Sequence, residues 1–151
     1  MQIKENPAWI YYLGDRVEEE RKYIKGKFMT FGLFPVNART KSLIKKALDE
    51  EVVFAVKHSQ EGYVNPRSAD PDKYVICWYS TDEKEDLSKL AEFLVKNGLV
   101  QITKAGKLYN ISFKYDSQTR SGQYGDSFVA QIGLADFIDL DTGKLTGEDN
   151  S

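Results

Sequence analysis

KYVICWYSTDEKEDLSKLAEFLVKNGLVQITKAGKLYNISFKY, residues 73–115, carries the most consistent local signals in the chain. Tyr74, Val75, Ile76, Cys77, Trp78 and Tyr79 form an unbroken apolar and β-prone run. That is the pattern of a central strand covered on both faces. Ser80, Thr81 and Asp82 follow, and Ser80 with Glu83, or Asp82 with Glu85, has the spacing of a capping box. Leu87, Leu90, Ala91 and Leu94 then recur at helical spacing, with Phe93 and Val95 widening the stripe, which predicts a helix over 83–97. Lys96, Asn97 and Gly98 supply a cation at the negative end of the helix dipole and a glycine to leave it. Residues 99–102 and 108–115 flank a short turn, Lys104 to Lys107. The alternation of Tyr109, Ile111, Phe113 and Tyr115 with Asn110, Ser112 and Lys114 predicts a half-buried antiparallel strand.

Toward the N-terminus, residues 27–34 (KFMTFGLF) read as a strand that Pro35 ends. Asn37 is a favourable N-cap, and Leu43, Ile44, Ala47 and Leu48 make the apolar stripe of a helix running to about Glu50. VVFAV at 52–56 reads as another apolar strand, and 58–72 as a loop long enough to suggest function or mobility. Residues 27–102 thus give β-α-β-β-α-β. This is an α+β chain of the ferredoxin-like, split β-α-β plan, with two helices on one face of an antiparallel sheet. A C-terminal hairpin strand at 108–115 extends it. A helix followed by a hairpin with a basic turn also resembles the end of a winged-helix domain. That pattern needs a helix-turn-helix before the wing, where this chain has the β-like run 74–79.

The remaining elements are a short strand at 9–13, a charged helix over 15–25 (or a strand pair), a strand at 127–132 and a hairpin around 141–144. Residues 1–8 and 146–151 are expected to be flexible. At 151 residues the chain is expected to be one domain, burying roughly 68–70% of its unfolded surface. Cys77 lies within an apolar strand and has no second cysteine to pair with. No Cys/His cluster suits zinc, and no cofactor is expected. No apolar run near 18 residues and no signal-peptide pattern occur, so a cytoplasmic protein without a membrane partner is expected.

A formal net charge of −2 argues against a generic nucleic-acid binder. The charge is uneven: residues 1–75 carry 13 Lys/Arg and 11 Asp/Glu, whereas 126–151 carry one Lys and six acids. The helix after Asn37 reverses the usual order, with Arg39 and Lys41 in its first turn and Asp49 and Glu50 at its end. Asn37, Arg39, Thr40, Lys41 and Ser42 combine free N–H groups, hydroxyls and cations, a set suited to a phosphate or carboxylate. Arg67 in the long loop is a candidate to join them. The bland alternative is a set of solvated surface side chains.

His58, the sole histidine, is the candidate for any histidine-dependent catalysis, against the plainer reading of a polar residue at a loop edge. Asp136, Asp139 and Asp141 lack the spacing of a calcium loop and read as structural or solvated carboxylates. Trp78, Tyr79, Tyr109 and Phe113 are candidates for a base-stacking surface, but core packing fits KYVICWYST better. The leading expectation is a non-catalytic binding or accessory module that contacts a macromolecule, with nucleic acid or a protein as partner and a phosphate-bearing ligand among the candidates. The alternatives are a small hydrolase or nuclease-like enzyme using His58, and a protein-interaction or inhibitor module acting through the acidic C-terminal region.

Overall fold

A computed structural model describes residues 1–62, 70–120 and 131–146. It is α+β, with seven antiparallel strands in one sheet and four helices. In chain order these are β1 (Gln2–Glu5), β2 (Trp9–Leu13), α1 (Val17–Glu20), β3 (Gly26–Leu33), α2 (Ala38–Asp49), β4 (Ala55–Ser59), β5 (Lys73–Ser80), α3 (Lys84–Lys96), β6 (Ser112–Tyr115), α4 (Asp116–Arg120) and β7 (Ile132–Gly133). The sheet order is β1-β2-β4-β5-β3-β6-β7, which is irregular for a ferredoxin-like sheet.

The run 74–79 is central as expected, because β5 lies between β4 and β3. Its even residues Tyr74, Ile76 and Trp78 enter a core shared with Phe28, Val56 and Phe113. The stripes of α2 (Ile44, Ala47, Leu48) and α3 (Leu87, Leu90, Ala91, Leu94) close the same core. Trp78 is fully buried and donates its Nε1–H to Thr30 Oγ1 at 2.9 Å. Its one polar atom is therefore satisfied inside the core.

Caps explain where the helices begin and end. Asn37 Oδ1 accepts from Thr40 N at 2.8 Å, satisfying one of the orphan donors at the start of α2. At the end of α3, Gly98 has φ of 69°, Leu99 N donates to Leu94 O and Gly98 N to Val95 O. These are the two bonds of a Schellman closure. The start of α3 departs from expectation, since Glu83 is the N-cap and makes no side-chain capping bond. Thr81 Oγ1 instead accepts from Glu83 N and pairs with Asp86, so neither predicted capping box forms.

Several predicted elements are displaced. The strand placed at 52–56 starts at Ala55. Glu51 takes φ of 55°, and Val52 N bonds back to Ala47 O, so Val52 and Val53 turn off the end of α2. Val53 is still buried; its apolarity reports burial and not strand. Residues 99–102 do not enter the sheet, and Ile102 makes a single bridge to Leu108. β6 takes the place beside β3 and begins at Ser112, while Tyr109 stays exposed. The charged segment 15–25 is the one-turn α1 followed by a 3-10 turn over Arg21–Tyr23. Within 1–8, β1 is an edge strand whose residues are all exposed. Of the strand placed at 127–132, residues 127–130 lie outside the described residues, as do 147–151 of the C-terminal tail.

Candidate functional site

Residues directly opposite one another in a ladder project from the same face of a sheet. The register puts Lys4 opposite Tyr11, Tyr11 opposite Lys57, Lys57 opposite Cys77 and Cys77 opposite Met29. The adjoining row holds Tyr79, Lys27 and Lys114, and Trp9 lies one step beyond Tyr11. All of these lie on the face away from α2 and α3, because Phe28, Ile76 and Trp78, at alternating positions, belong to the helix-covered core. Lys4, Lys27, Lys57, Lys73 and Lys114 share the face. No Asp or Glu occupies a described strand position there. In a chain whose net charge is −2, this is a sorting of charge by strand alternation.

Lys57 is the hub of the cluster. Its ammonium lies 4.0 Å from the Trp9 ring centroid, 5.9 Å from Tyr11 and 6.0 Å from Tyr79. Each is within the range of a cation–π attraction. Lys27 lies 5.8 Å from the Tyr79 ring and 2.9 Å from Asp116 Oδ1 at the start of α4. Trp9, Tyr11, Lys57 and Tyr79 are half-buried, Lys4 and Lys73 are exposed, and Lys27 and Lys114 are buried at 7% exposure. Burial raises the Tyr79 phenol far above its ordinary range, so it stays a neutral hydroxyl. Burial also raises the Cys77 thiol, although the neighbouring lysines oppose the shift. Cys77 is therefore a packed thiol and not a nucleophile poised for attack.

The residues singled out in the sequence are distributed differently. Asn37 is committed to capping α2, and Thr40 is buried. Arg39 donates from Nη2 to Asn97 O at 2.7 Å, placing its charge on the carbonyl end of α3. Lys41 and Ser42 are exposed. The acids at the end of α2 pair within the helix, Lys45 with Asp49 and Lys46 with Glu50. The reversed charge order thus has internal partners at both ends. Arg67 lies outside the described residues. Asn37 to Ser42 are on the helical side of the sheet, apart from the lysine-aromatic face.

His58 is 3% exposed. Its Nδ1 lies 3.0 Å from Ser59 O and its Nε2 lies 2.9 Å from Tyr12 Oη. A carbonyl only accepts, so Nδ1 carries the proton and Nε2 accepts from the tyrosine. Both nitrogens are engaged, an arrangement that supports a structural histidine over a general base. Burial, and to a lesser extent the Lys41 charge, lowers its pKa, against the raising effect of the Ser59 carbonyl. A neutral histidine in the fold and an ordinary one at about 6.5 in the unfolded chain means that the unfolded state binds more protons below that pH. Its stabilising contribution is therefore complete above pH of about 6.5 and is lost as pH falls below it. We expect the melting temperature to decline between roughly pH 6.5 and 5, and a His58→Gln variant, measured calorimetrically, to lose that limb of the profile. An unchanged limb in the variant would assign the titration to carboxylates.

The C-terminal acids serve turns. Asp136 Oδ2 accepts from Gly133 N, and Asp139 Oδ1 accepts from Asp141 N and Thr142 N. Asp141 lies 3.4 Å from Lys107. Among the described residues no helix is long and apolar enough to cross a membrane. Of the four aromatic candidates for a stacking surface, Trp78 and Phe113 lie in the core and Tyr109 on the 99–111 hairpin, so of these Tyr79 alone reaches the lysine face. The residues missed were Trp9, Tyr11 and Lys57. Residues 9–13 (WIYYL) are apolar or aromatic throughout, so no alternation separated their two faces, and their pairing with 55–59 is non-local. Compared with protein-family models, curated proteins and solved structures, the chain matches none.

Proposed function

We propose that the chain is a non-catalytic binding module that takes single-stranded nucleic acid on the lysine-aromatic face of its sheet. The observation that carries this reading is the sorting of lysines with Trp9, Tyr11 and Tyr79 onto one face without a strand carboxylate; of the lysines, Lys4, Lys57 and Lys73 are accessible while Lys27 and Lys114 are buried. Unpaired bases stack on aromatic rings whatever their sequence, while lysines follow the phosphates. Single strands fit this better than duplex, because the half-buried rings of Trp9, Tyr11 and Tyr79 offer π-faces and no described element there is shaped for a groove. The N-terminal end of α2 supports an anion contact less well, since Asn37 and Arg39 are held by internal bonds. An enzyme built on His58 has less support still, given its enclosure.

The same reading extends to topology. We take β3-α2-β4-β5-α3-β6 as a split β-α-β unit with β6 as its fourth strand, a view supported by the local order β4-β5-β3-β6. β1 and β2 then widen the sheet and bring Trp9 and Tyr11 beside Lys57.

Fluorescence anisotropy with a labelled single-stranded RNA twelve-mer, and its DNA equivalent, tests the function. Trp9→Ala is expected to weaken binding by about 1–3 kcal/mol, the scale of one lost base stack. Lys57→Ala is expected to lower the slope of log affinity against log salt by about 0.7. A Lys41→Ala/Ser42→Ala control is expected to bind as the parent does. Absence of binding at low salt, or binding indifferent to Trp9 and Lys57, would overturn the reading.

A further inference from the structure

We infer a second binding site, made by main-chain groups and not by the lysines: the open edge of β3 from Met29 to Leu33 accepts an extended peptide as an added antiparallel strand. β6 pairs with β3 at Gly26, Lys27 and Phe28 and then departs, whereas β5 pairs along the whole of β3. The hydrogen-bonding sense of β3 follows from two bonds. Phe34 N donates to Asp72 O on the β5 side, and Val75 N, opposite Phe31, donates to Ser59 Oγ on the β4 side, so Val75 and Phe31 do not bond each other. In an antiparallel ladder successive residues alternate in which neighbour they bond. Met29, Phe31 and Leu33 therefore turn N–H and C=O toward the side that β6 has left. No described residue pairs with them there. Three donors and three acceptors, spaced by two residues, form a template for one strand.

The surroundings define the occupant. A cleft of about 310 Å³ opens beside this edge, between Met29, Thr30 and Phe31 on one wall and Leu99, Tyr109 and Ile111 on the other. Phe31 is 48% and Leu33 67% exposed, and 28–34 (FMTFGLF) contains no charge. The edge thus lacks the lysines, prolines and bulges that usually block pairing. A partner strand continues the β3–β6 ladder outward from Phe28. Its residue opposite Thr30 projects on the helical side of the sheet, toward the apolar wall of the cleft, and must be apolar and uncharged. The stretch left unpaired is only five residues, Met29 to Leu33, a ladder suited to a short extended segment and too short to hold two whole copies together, so the occupant we assign is a peptide segment of another protein. Main-chain bonds supply the affinity and alternate side chains the selectivity, as in other strand-addition sites.

The probe is a library of phage-displayed random dodecapeptides panned on the full chain, followed by the enriched peptide made synthetically. Enriched sequences are expected to alternate apolar residues through an uncharged centre. The synthetic peptide is expected to slow amide exchange at Met29 and Phe31 at least tenfold. N-methylation of its central amides, which keeps every side chain, is expected to weaken binding at least tenfold. Phe31→Pro removes an N–H from the open edge and spares the β5 ladder. Phe31→Lys adds an edge charge without constraining the backbone. Both are expected to abolish binding, and a folded Phe31→Lys protein keeps the test decisive if the proline variant does not fold. Failure to enrich any peptide, protection located away from β3, tolerance of N-methylation, or a parent protein that sediments as a dimer with this edge protected would each overturn the proposal. None of these outcomes bears on nucleic-acid binding at Lys57.

Discussion

Trp78→Ala is expected to cost about 3–5 kcal/mol of folding stability, the range for removing a fully buried large aromatic side chain. For a chain of this length each kcal/mol moves the melting midpoint by roughly 2–4 °C. Trp78 is wholly enclosed and sits across the ladder from Phe28. Its ring is 6.2 Å from that of Phe93 on α3, so its loss opens a void between the sheet and that helix. It also leaves Thr30 Oγ1, itself buried, without its donor. The two contributions separate in a double-mutant cycle with Thr30→Val. Trp78→Phe retains much of the volume and loses the hydrogen bond, a cost of about 1 kcal/mol that Thr30→Val should largely remove. Denaturant midpoints for the four proteins measure this directly. A Trp78→Ala protein within about 1 kcal/mol of the parent would contradict the packing described here.

Gly26→Ala is the second large effect, and it arises from close approach. A Cβ at Gly26 would overlap the carbonyl oxygen of Lys114 and lie 2.8 Å from Phe113 Cε1. Lys114 is in the backbone of the paired strand, so the overlap is relieved by moving β6 away from β3. That shift disturbs the Phe28–Phe113 edge contact at 5.5 Å and the Lys27–Asp116 ion pair. A cost of about 1–3 kcal/mol, and more if β6 detaches, is expected. Exchange at the Asp116 amide, which bonds to Lys25 O, should accelerate selectively, while amides of β4 and β5 keep their protection. Uniform loss of protection would indicate global destabilisation without local detachment.

Much of the scaffold was legible because it is encoded within short windows. The stripe from Leu87 to Leu94, the Asn37 cap and the glycine after Lys96 each depend on residues within a few positions. What misled was apolarity without period. Val52 and Val53 are hydrophobic because they close the core beneath α2, and Leu99 and Val100 because they pack beside it; neither pair is a strand. The lysine face was hidden for a different reason. It is assembled from β1, β2, β4, β5, β3 and β6, and its composition depends on which strands become neighbours and in which register. Trp9 and Lys57 are 48 positions apart in sequence, and no local pattern announces that one covers the other. His58 was visible as a lone titratable group. The Tyr12 hydroxyl that occupies it comes from β2, again by non-local pairing.

The bond from Arg39 to the C-cap carbonyl of α3, that of Asn97, makes the two helices unequal in what they need from each other. Alone, α2 begins with cations and ends with acids, against its own dipole, and a peptide of 37–50 would be a poor helix. α3 has acids at its start, a cation at its end and a closed C-terminus. Its local signals agree with its helical state, and its C-terminal carbonyl end receives Arg39. In the fold, the end of α3 thus supplies α2 with a partner for its first-turn charge that its own sequence lacks.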